Sequence, residues 1–203
     1  DQLIQSLPMD AEVIVVDGGS DDDTPRIMGA AGLRVIEAPR GRARQMNAGA
    51  AVATGDVLLF LHADTCLPAC FATTMSQFSA SGCVWGRFDI RLSGAQPLLR
   101  MVEFMMNWRS RLTGICTGDQ AMFIRRDVFE ACTGFADIAL MEDIEISRRL
   151  RRISPPFRGR DRVVSSSRRW QRNGIVRTIL QMWRLRLMYF FGASPASLAR
   201  RYD

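Results

Sequence analysis

The sequence predicts an α/β fold: a mixed, mainly parallel sheet flanked by helices, with a long C-terminal helix. Three observations predict it. The strand candidates of the first half are continuous apolar runs, not alternating ones, as in strands buried on both faces. They alternate with helical segments in the order strand–helix–strand–helix–strand. The connections between them are short.

Each element has a local reason. Residues 1–8, DQLIQSLP, read as the end of a helix stopped near Pro8. Residues 12–17, EVIVVD, form a β-branched strand ending at Asp17, followed by Gly18 and Gly19. Residues 24–32 read as a helix, with Thr24 as N-cap, Pro25 in the first turn and Gly32 at the end. Residues 33–38 are a strand, and 42–55 a helix with small residues on one face. The run 57-VLLFLHADT-65 is the third strand, and it ends in two polar residues, His62 and Asp64.

The second half is less regular. Residues 84–92 alternate as a strand. Residues 97–112 make an amphipathic helix with Leu98, Met101, Val102, Met105 and Leu112 on one side. Residues 120–126 are a strand, and Asp127 caps a short helix ending by Gly134. Residues 142–152 form a helix with acids first and arginines last, complementing its dipole. Residues 161–167 are a further strand, and 174–191 a long, mostly apolar helix with Arg177, Gln181 and Arg184 on one narrow stripe.

Composition bounds the function. The 203 residues suit one domain with a sizeable core. The net charge is +6, and all 27 basic residues are arginine, a side chain suited to carboxylates and phosphates. The five cysteines form no CxxC pair, so neither a disulfide framework nor a zinc site is expected, and reduced thiols point to the cytosol. No apolar run approaches the ~20 residues of a membrane span.

Four stretches carry candidate chemistry. In 15-VVDGGSDDDT-24, Asp17 at a strand end suits a nucleobase or ribose, although Asp, Gly and Ser also make ordinary turns. No GxGxxG motif or P-loop is present, which disfavours an ordinary dinucleotide or Walker site. In an extended segment His62 and Asp64 would face one way and could share a hard cation, although taken alone a strand end that merely meets water is the better explanation. Glu142 and Asp143 open a helix and offer a general base. Arg168, Arg169 and Arg172 surround Trp170 in a loop-like basic patch suited to a diphosphate. The acidic 21-DDD-23 segment argues against a nucleic-acid partner.

The ordered set VVDGGSDDDT, GRARQMNAGAAVATGDVLLFLHADT, GDQAMFIRRDVF, MEDIEISRRL and SSRRWQRNG covers nearly the whole chain. It resembles the family 2 glycosyltransferases of the GT-A fold, in particular a compact bacterial subgroup with HADT in place of the DxD motif. The resemblance implies a single GT-A domain over residues 1–203. It implies that Asp17, Gly18, Arg44, Asn47, Ala63, Asp64, Arg169 and Trp170 bind a nucleotide-sugar donor. Asp64 and His62 would hold Mg²⁺ or Mn²⁺, and Asp143, paired with Glu142, would be the base of an inverting transfer to an unknown acceptor. His62 stands where the family has its first aspartate, so less negative charge faces the metal. Family members open with an apolar strand and a Pro-x-x-Asn-Glu turn. This sequence starts in the helix that follows, so that first strand is expected to be missing. For the last helix the expectations are packing on its own domain, a homodimer, or peripheral contact with the inner membrane and a lipid-linked acceptor. A non-catalytic nucleotide-sugar or carbohydrate binding protein on the same fold is the alternative reading.

Overall fold

The computed structural model describes residues 11–202. The helix expected over residues 1–8 lies outside the described residues. The first unit runs β1 (Ile14–Asp17), α1 (Thr24–Ala30), β2 (Arg34–Glu37), α2 (Arg42–Val52) and β3 (Val57–Phe60). β1 and β2 pair in parallel, Ile14 opposite Arg34 and Asp17 opposite Glu37, with α1 as the crossover. β4 (Thr65–Cys66) and α3 (Phe71–Ala80) follow, and the sequence reading missed both. β5 (Trp85–Leu92), α4 (Pro97–Thr113), a 3₁₀ turn (Gly118–Gln120), β6 (Met122–Arg125) and α5 (Arg126–Ala131) come next. The chain ends with α6 (Glu142–Leu150), β7 (Phe157–Ser165), α7 (Arg168–Asn173), α8 (Ile175–Phe190) and α9 (Pro195–Tyr202).

The larger sheet has the order β3–β6–β5–β7–β4. It is mixed, as expected. Among the described pairings, β1–β2 and β5–β7 are parallel, while β3–β6, β5–β6 and β4–β7 are antiparallel. An apolar run reports burial on both faces, not strand direction. β5 shows this: seven of its eight residues are buried although β6 runs against it. Phe78, Phe88, Phe123 and Phe157 pack in edge-on and tilted pairs against that centre. No described strand lies between β1 and β3. Each pairs on one side only, and their open sides face a common cleft.

α4 inverts its expected orientation. Of the side expected to pack, only Val102 is buried; Leu98, Met101 and Leu112 are exposed, with Phe104 and Trp108. The buried face carries Glu103, Asn107 and Ser110 beside Leu99 and Val102. β5 pairs with β6 only through Trp85 and Gly86, so the rest of that edge needs other partners. Asn107 supplies them as a strand would: its Oδ1 accepts from Ile90 N at 2.9 Å and its Nδ2 donates to Ile90 O at 3.0 Å. Glu103 accepts from Leu92 N. Periodicity reveals two faces of a helix; an open sheet edge decided that the polar one turns inward.

Candidate active site

The open sides of β1 and β3, the turns after them and the C-terminal helices enclose a cleft of about 1040 Å³. Asp17, Gly18, Ala63, Asp64, His62, Asp143, Arg169 and Trp170 all line it. These residues come from four separate segments, and the turns after strands deliver most of them.

Asp17 ends β1 and is buried. Its carboxylate accepts from the backbone N–H groups of Gly19 and Ser20, each at 3.0 Å, and from the Ser20 hydroxyl. These bonds, led by the Ser20 hydroxyl, hold its pKa below the usual carboxylate value. Asp17 therefore anchors its own turn as an anion at the cleft wall.

α2 presents Arg42, Gln45, Met46, Gly49, Ala50 and Ala53 to the cleft, a stripe at helical spacing. Arg44 and Asn47, expected near the nucleotide, fall off that stripe and do not line the cleft. Arg44 is exposed and pairs with Asp137 at 2.8 Å. Asn47 latches the backbone of Phe135, donating to its O at 2.8 Å and accepting from its N at 2.9 Å. Arg42, two positions earlier, lines the cleft instead. The RAR pattern offered both arginines, and only helix phase separates them.

The strand stops at Phe60, and His62–Thr65 closes a turn in which Thr65 N donates to His62 O at 3.0 Å. The extended geometry expected for His62 and Asp64 is therefore corrected. The His62 ring turns to Asp119, with Nδ1 3.5 Å from Oδ1. Burial opposes the imidazolium, but the bond to Asp119 and the charges of Asp119 and Asp64 outweigh it and raise the His62 pKa. Asp64 is exposed in the cleft, and its backbone O accepts from Ser166 N at 3.0 Å. That bond and the β4–β7 pairing bring Arg169 and Trp170 beside the HADT turn. The basic patch is the short helix α7, not a loop.

The 3₁₀ turn joins these parts. A Cβ on Gly118 would lie 2.5 Å from His62 Nε2, so only glycine fits without displacing the ring. Gly118 N donates to Asp143 Oδ2 at 3.0 Å, and Ile144 N donates to Oδ1 at 2.7 Å. Met141, just before, takes a left-handed φ of 72°, the kind of local strain found at functional sites. Asp143 faces the cleft. Glu142 does not line it; it is buried, 3.6 Å from Arg42. Burial, then the neighbouring Asp143 charge, raises the Glu142 pKa. The pair thus divides into one cleft carboxylate and one interior partner of Arg42.

Three contributors escaped the sequence reading: the Gly118–Asp119 turn, Arg186 and Tyr202. Tyr202 accepts a hydrogen bond from Arg42 at 3.2 Å and sits under the Arg169 guanidinium, 3.7 Å from its ring centroid. GDQ stood within a quoted motif and was the one available signal; nothing marked Arg186 or Tyr202 locally.

A hard divalent cation fits this donor set. Among the described residues no cluster of three or more His, Cys, Asp or Glu side chains could cage one. Mg²⁺ and Mn²⁺ bound with a diphosphate need only one or two carboxylates besides phosphate oxygens and water. Asp64 offers that carboxylate in the open cleft, while His62 is engaged by Asp119.

The comparisons agree with this architecture. Residues 1–132 match the family model of glycosyl transferase family 2. No curated protein sequence matches the chain. Among solved structures, a mannosyltransferase from Pyrobaculum calidifontis in complex with GDP-Man and Mn²⁺ is 18% identical. It aligns with a TM-score of 0.59, over 94% of this chain and 59% of its own. Glucosyl-3-phosphoglycerate synthase from Mycobacterium tuberculosis, in complex with phosphoglyceric acid, is 18% identical with a TM-score of 0.51, over 76% of this chain and 59% of that one. The same enzyme with Mn²⁺ and UDP-glucose is 16% identical with a TM-score of 0.50, over 75% and 58%. The chain thus spans less than two thirds of these structures, and at such identities the likeness is one of fold. With a family match over 132 of its 203 residues and the GT-A fold in common with these structures, the chain belongs to glycosyl transferase family 2.

Proposed function

We propose that the chain transfers a sugar from a nucleotide-diphosphate sugar to an acceptor hydroxyl, with inversion and with Mg²⁺ or Mn²⁺. One observation carries this reading: a single cleft gathers Asp17, Asp64 and Asp143 with Arg42, Arg169 and Arg186. The relatives solved with GDP-Man, UDP-glucose and Mn²⁺ support the donor class.

The residues divide the work. The Asp17 turn bounds the nucleoside end. Arg169 and Arg42 lie where a diphosphate's charge needs cations, and Trp170 walls the cleft beside them. Asp64 would hold the metal, which when bound neutralises charge developing on the nucleoside diphosphate leaving group. Asp143 takes the proton of the acceptor hydroxyl as the new glycosidic bond forms. One backbone N–H on each of its oxygens fixes the carboxylate and leaves each oxygen further acceptor capacity. No covalent nucleophile is required.

The test is thermal stabilisation by UDP, GDP, dTDP and CDP with and without Mn²⁺. At least one should stabilise the protein more with Mn²⁺ than without, and Asp64→Ala should remove that difference. No stabilisation by any of the four sinks the reading. Binding without sugar transfer would leave the alternative, a non-catalytic binding protein.

Peripheral membrane contact is part of the same proposal. No helix among the described residues is long and apolar enough to cross a membrane. Yet α8 exposes Val176, Leu180, Trp183, Leu187 and Phe190 as one stripe, with Arg177 and Arg184 on its shoulder. α4, packed beside it through Val102 and Ile175, exposes Phe104, Trp108 and Leu112, also away from the core. Apolar stripes with aromatic residues and flanking arginines suit an anionic bilayer surface. Flotation should show binding to phosphatidylglycerol vesicles and little to phosphatidylcholine alone. Monomer–dimer equilibrium without vesicle binding would assign the face to a homodimer instead.

A further inference from the structure

The two arginines placed at the donor's diphosphate come from opposite halves of the chain, Arg42 from α2 and Arg169 from α7, and both line the cleft. Like charges repel, and each guanidinium sits on a long stem whose rotamer freedom is given up when both point one way. One residue from a third element meets both. Tyr202, the last residue of α9, lines the same cleft. Its ring centroid lies 3.7 Å from the Arg169 guanidinium and 5.6 Å from that of Arg42. Its hydroxyl accepts from Arg42 Nη2 at 3.2 Å, and its backbone O accepts from Arg169 Nη2 at 3.1 Å.

The tyrosine is itself held. Leu198, one turn earlier on α9, is fully buried in a cluster with Leu140, Met141, Ile144 and Leu185, and Tyr202 packs against that cluster. Gln181 of α8 donates to the backbone O of Arg201 at 3.0 Å and to that of Tyr202 at 3.3 Å. Met141 immediately precedes Glu142 and Asp143, so the start of α6 and the ring that holds the arginines belong to one packed unit.

The chemistry of the contact matters. A carboxylate between two arginines would hold them and cancel their charge. A phenol is neutral: its π face attracts a cation and leaves the positive charge in place for an anion. A guanidinium stacked by its face keeps its N–H edge free, and that edge meets phosphate oxygens two at a time. Arg169 shows such an edge. Four described arginines, Arg87, Arg100, Arg109 and Arg169, have a buried side-chain nitrogen without a partner, and of these only Arg169 lines the cleft.

We propose that Tyr202 is a positioning residue for the donor: it fixes Arg42 and Arg169 side by side, so that their free edges clamp the diphosphate of the nucleotide sugar. This rests on the glycosyltransferase reading and adds a residue that the reading does not use. The consequence is selective. Affinity for a nucleoside diphosphate depends on Tyr202, and affinity for the monophosphate, with one phosphate fewer to clamp, depends on it much less.

The experiment is calorimetric titration of the full chain with UDP and UMP in the presence of Mn²⁺, or with the same two forms of whichever base stabilises the wild type most. Tyr202→Leu should weaken the diphosphate by about tenfold and the monophosphate by much less. Tyr202→Phe keeps the ring and loses only the bond to Arg42, so it should weaken the diphosphate by about threefold. That loss should vanish in an Arg42→Gln background, and Tyr202→Leu should add little to Arg169→Gln, because each pair of changes removes one interaction. Tyr202→Phe preserves the packing and decides the matter if Tyr202→Leu does not fold. Equal loss of diphosphate and monophosphate, or losses that add in both double variants, make Tyr202 merely structural and overturn the clamp. So does tighter diphosphate binding by Tyr202→Leu, which would mean that the ring competes with the ligand. Wild-type diphosphate binding that neither Tyr202 variant alters overturns the clamp alone. No binding of any of the four diphosphates to the wild type overturns the donor reading and the clamp with it.

Discussion

Gly118 and Asp143, 25 positions apart, are joined by a 3.0 Å hydrogen bond from the glycine N–H to the carboxylate. The same glycine leaves room for the His62 ring, whose Nε2 would lie 2.5 Å from any added Cβ. One backbone position thus couples the HADT turn to Asp143.

Gly118→Ala should test that coupling. The methyl group must displace either His62 or the turn, a cost of about 1–3 kcal/mol. Thermal unfolding should fall accordingly. Turnover should fall more than nucleotide affinity, because the displaced turn carries the Asp143 hydrogen bond. A variant with wild-type stability and activity contradicts the contact.

Asp143 and Glu142 should separate on substitution. Asp143→Asn keeps the shape and should spare nucleotide affinity while lowering transfer by roughly 10²–10⁴-fold. Glu142→Gln, away from the cleft and beside Arg42, should lower stability more than turnover. Steady-state kinetics with denaturation curves distinguishes the two; equal kinetic loss would place both in the reaction.

The His62–Asp119 pair has a definite pH dependence in metal-free protein. His62 has a raised folded pKa, so its contribution is complete below the ordinary value of 6.5 and is lost as pH rises through the folded value. Asp119 has a lowered pKa, despite its burial, because His62 bonds to it. Its contribution is present above 3.8 and is lost as pH falls through the folded value. The pair therefore stabilises most between those limits. The melting temperature difference between wild type and His62→Gln should be largest near pH 5–6 and shrink above neutrality. A difference independent of pH would contradict the pairing.

Asn107 should matter more than its place in an amphipathic helix suggests. Asn107→Leu leaves the N–H and C=O of Ile90 buried without partners, at about 1–3 kcal/mol each. Asn107→Asp keeps the acceptor for Ile90 N and loses only the donor, so it should be the milder change. Urea denaturation of the two variants checks the order.

The residues alone determined much of this protein. Apolar runs and helix signals placed β1, β2, β3, α1, α2 and α8 to within a few residues, because burial and capping are written locally. The strand-end position of Asp17 and the helix-start position of Asp143 were legible for the same reason. Tertiary structure decided what those side chains meet. Helix phase turned Arg42 inward and Arg44 out to Asp137. A turn after Phe60 sent His62 to Asp119. An open edge on β5 drew the polar face of α4 inward and left its apolar face exposed. Val102 and Ile175 share one apolar cluster only because α4 packs on α8, more than seventy residues away in the chain. Local sequence specifies which way a segment bends and which faces differ; it carries no record of which distant backbone or charge will be waiting there.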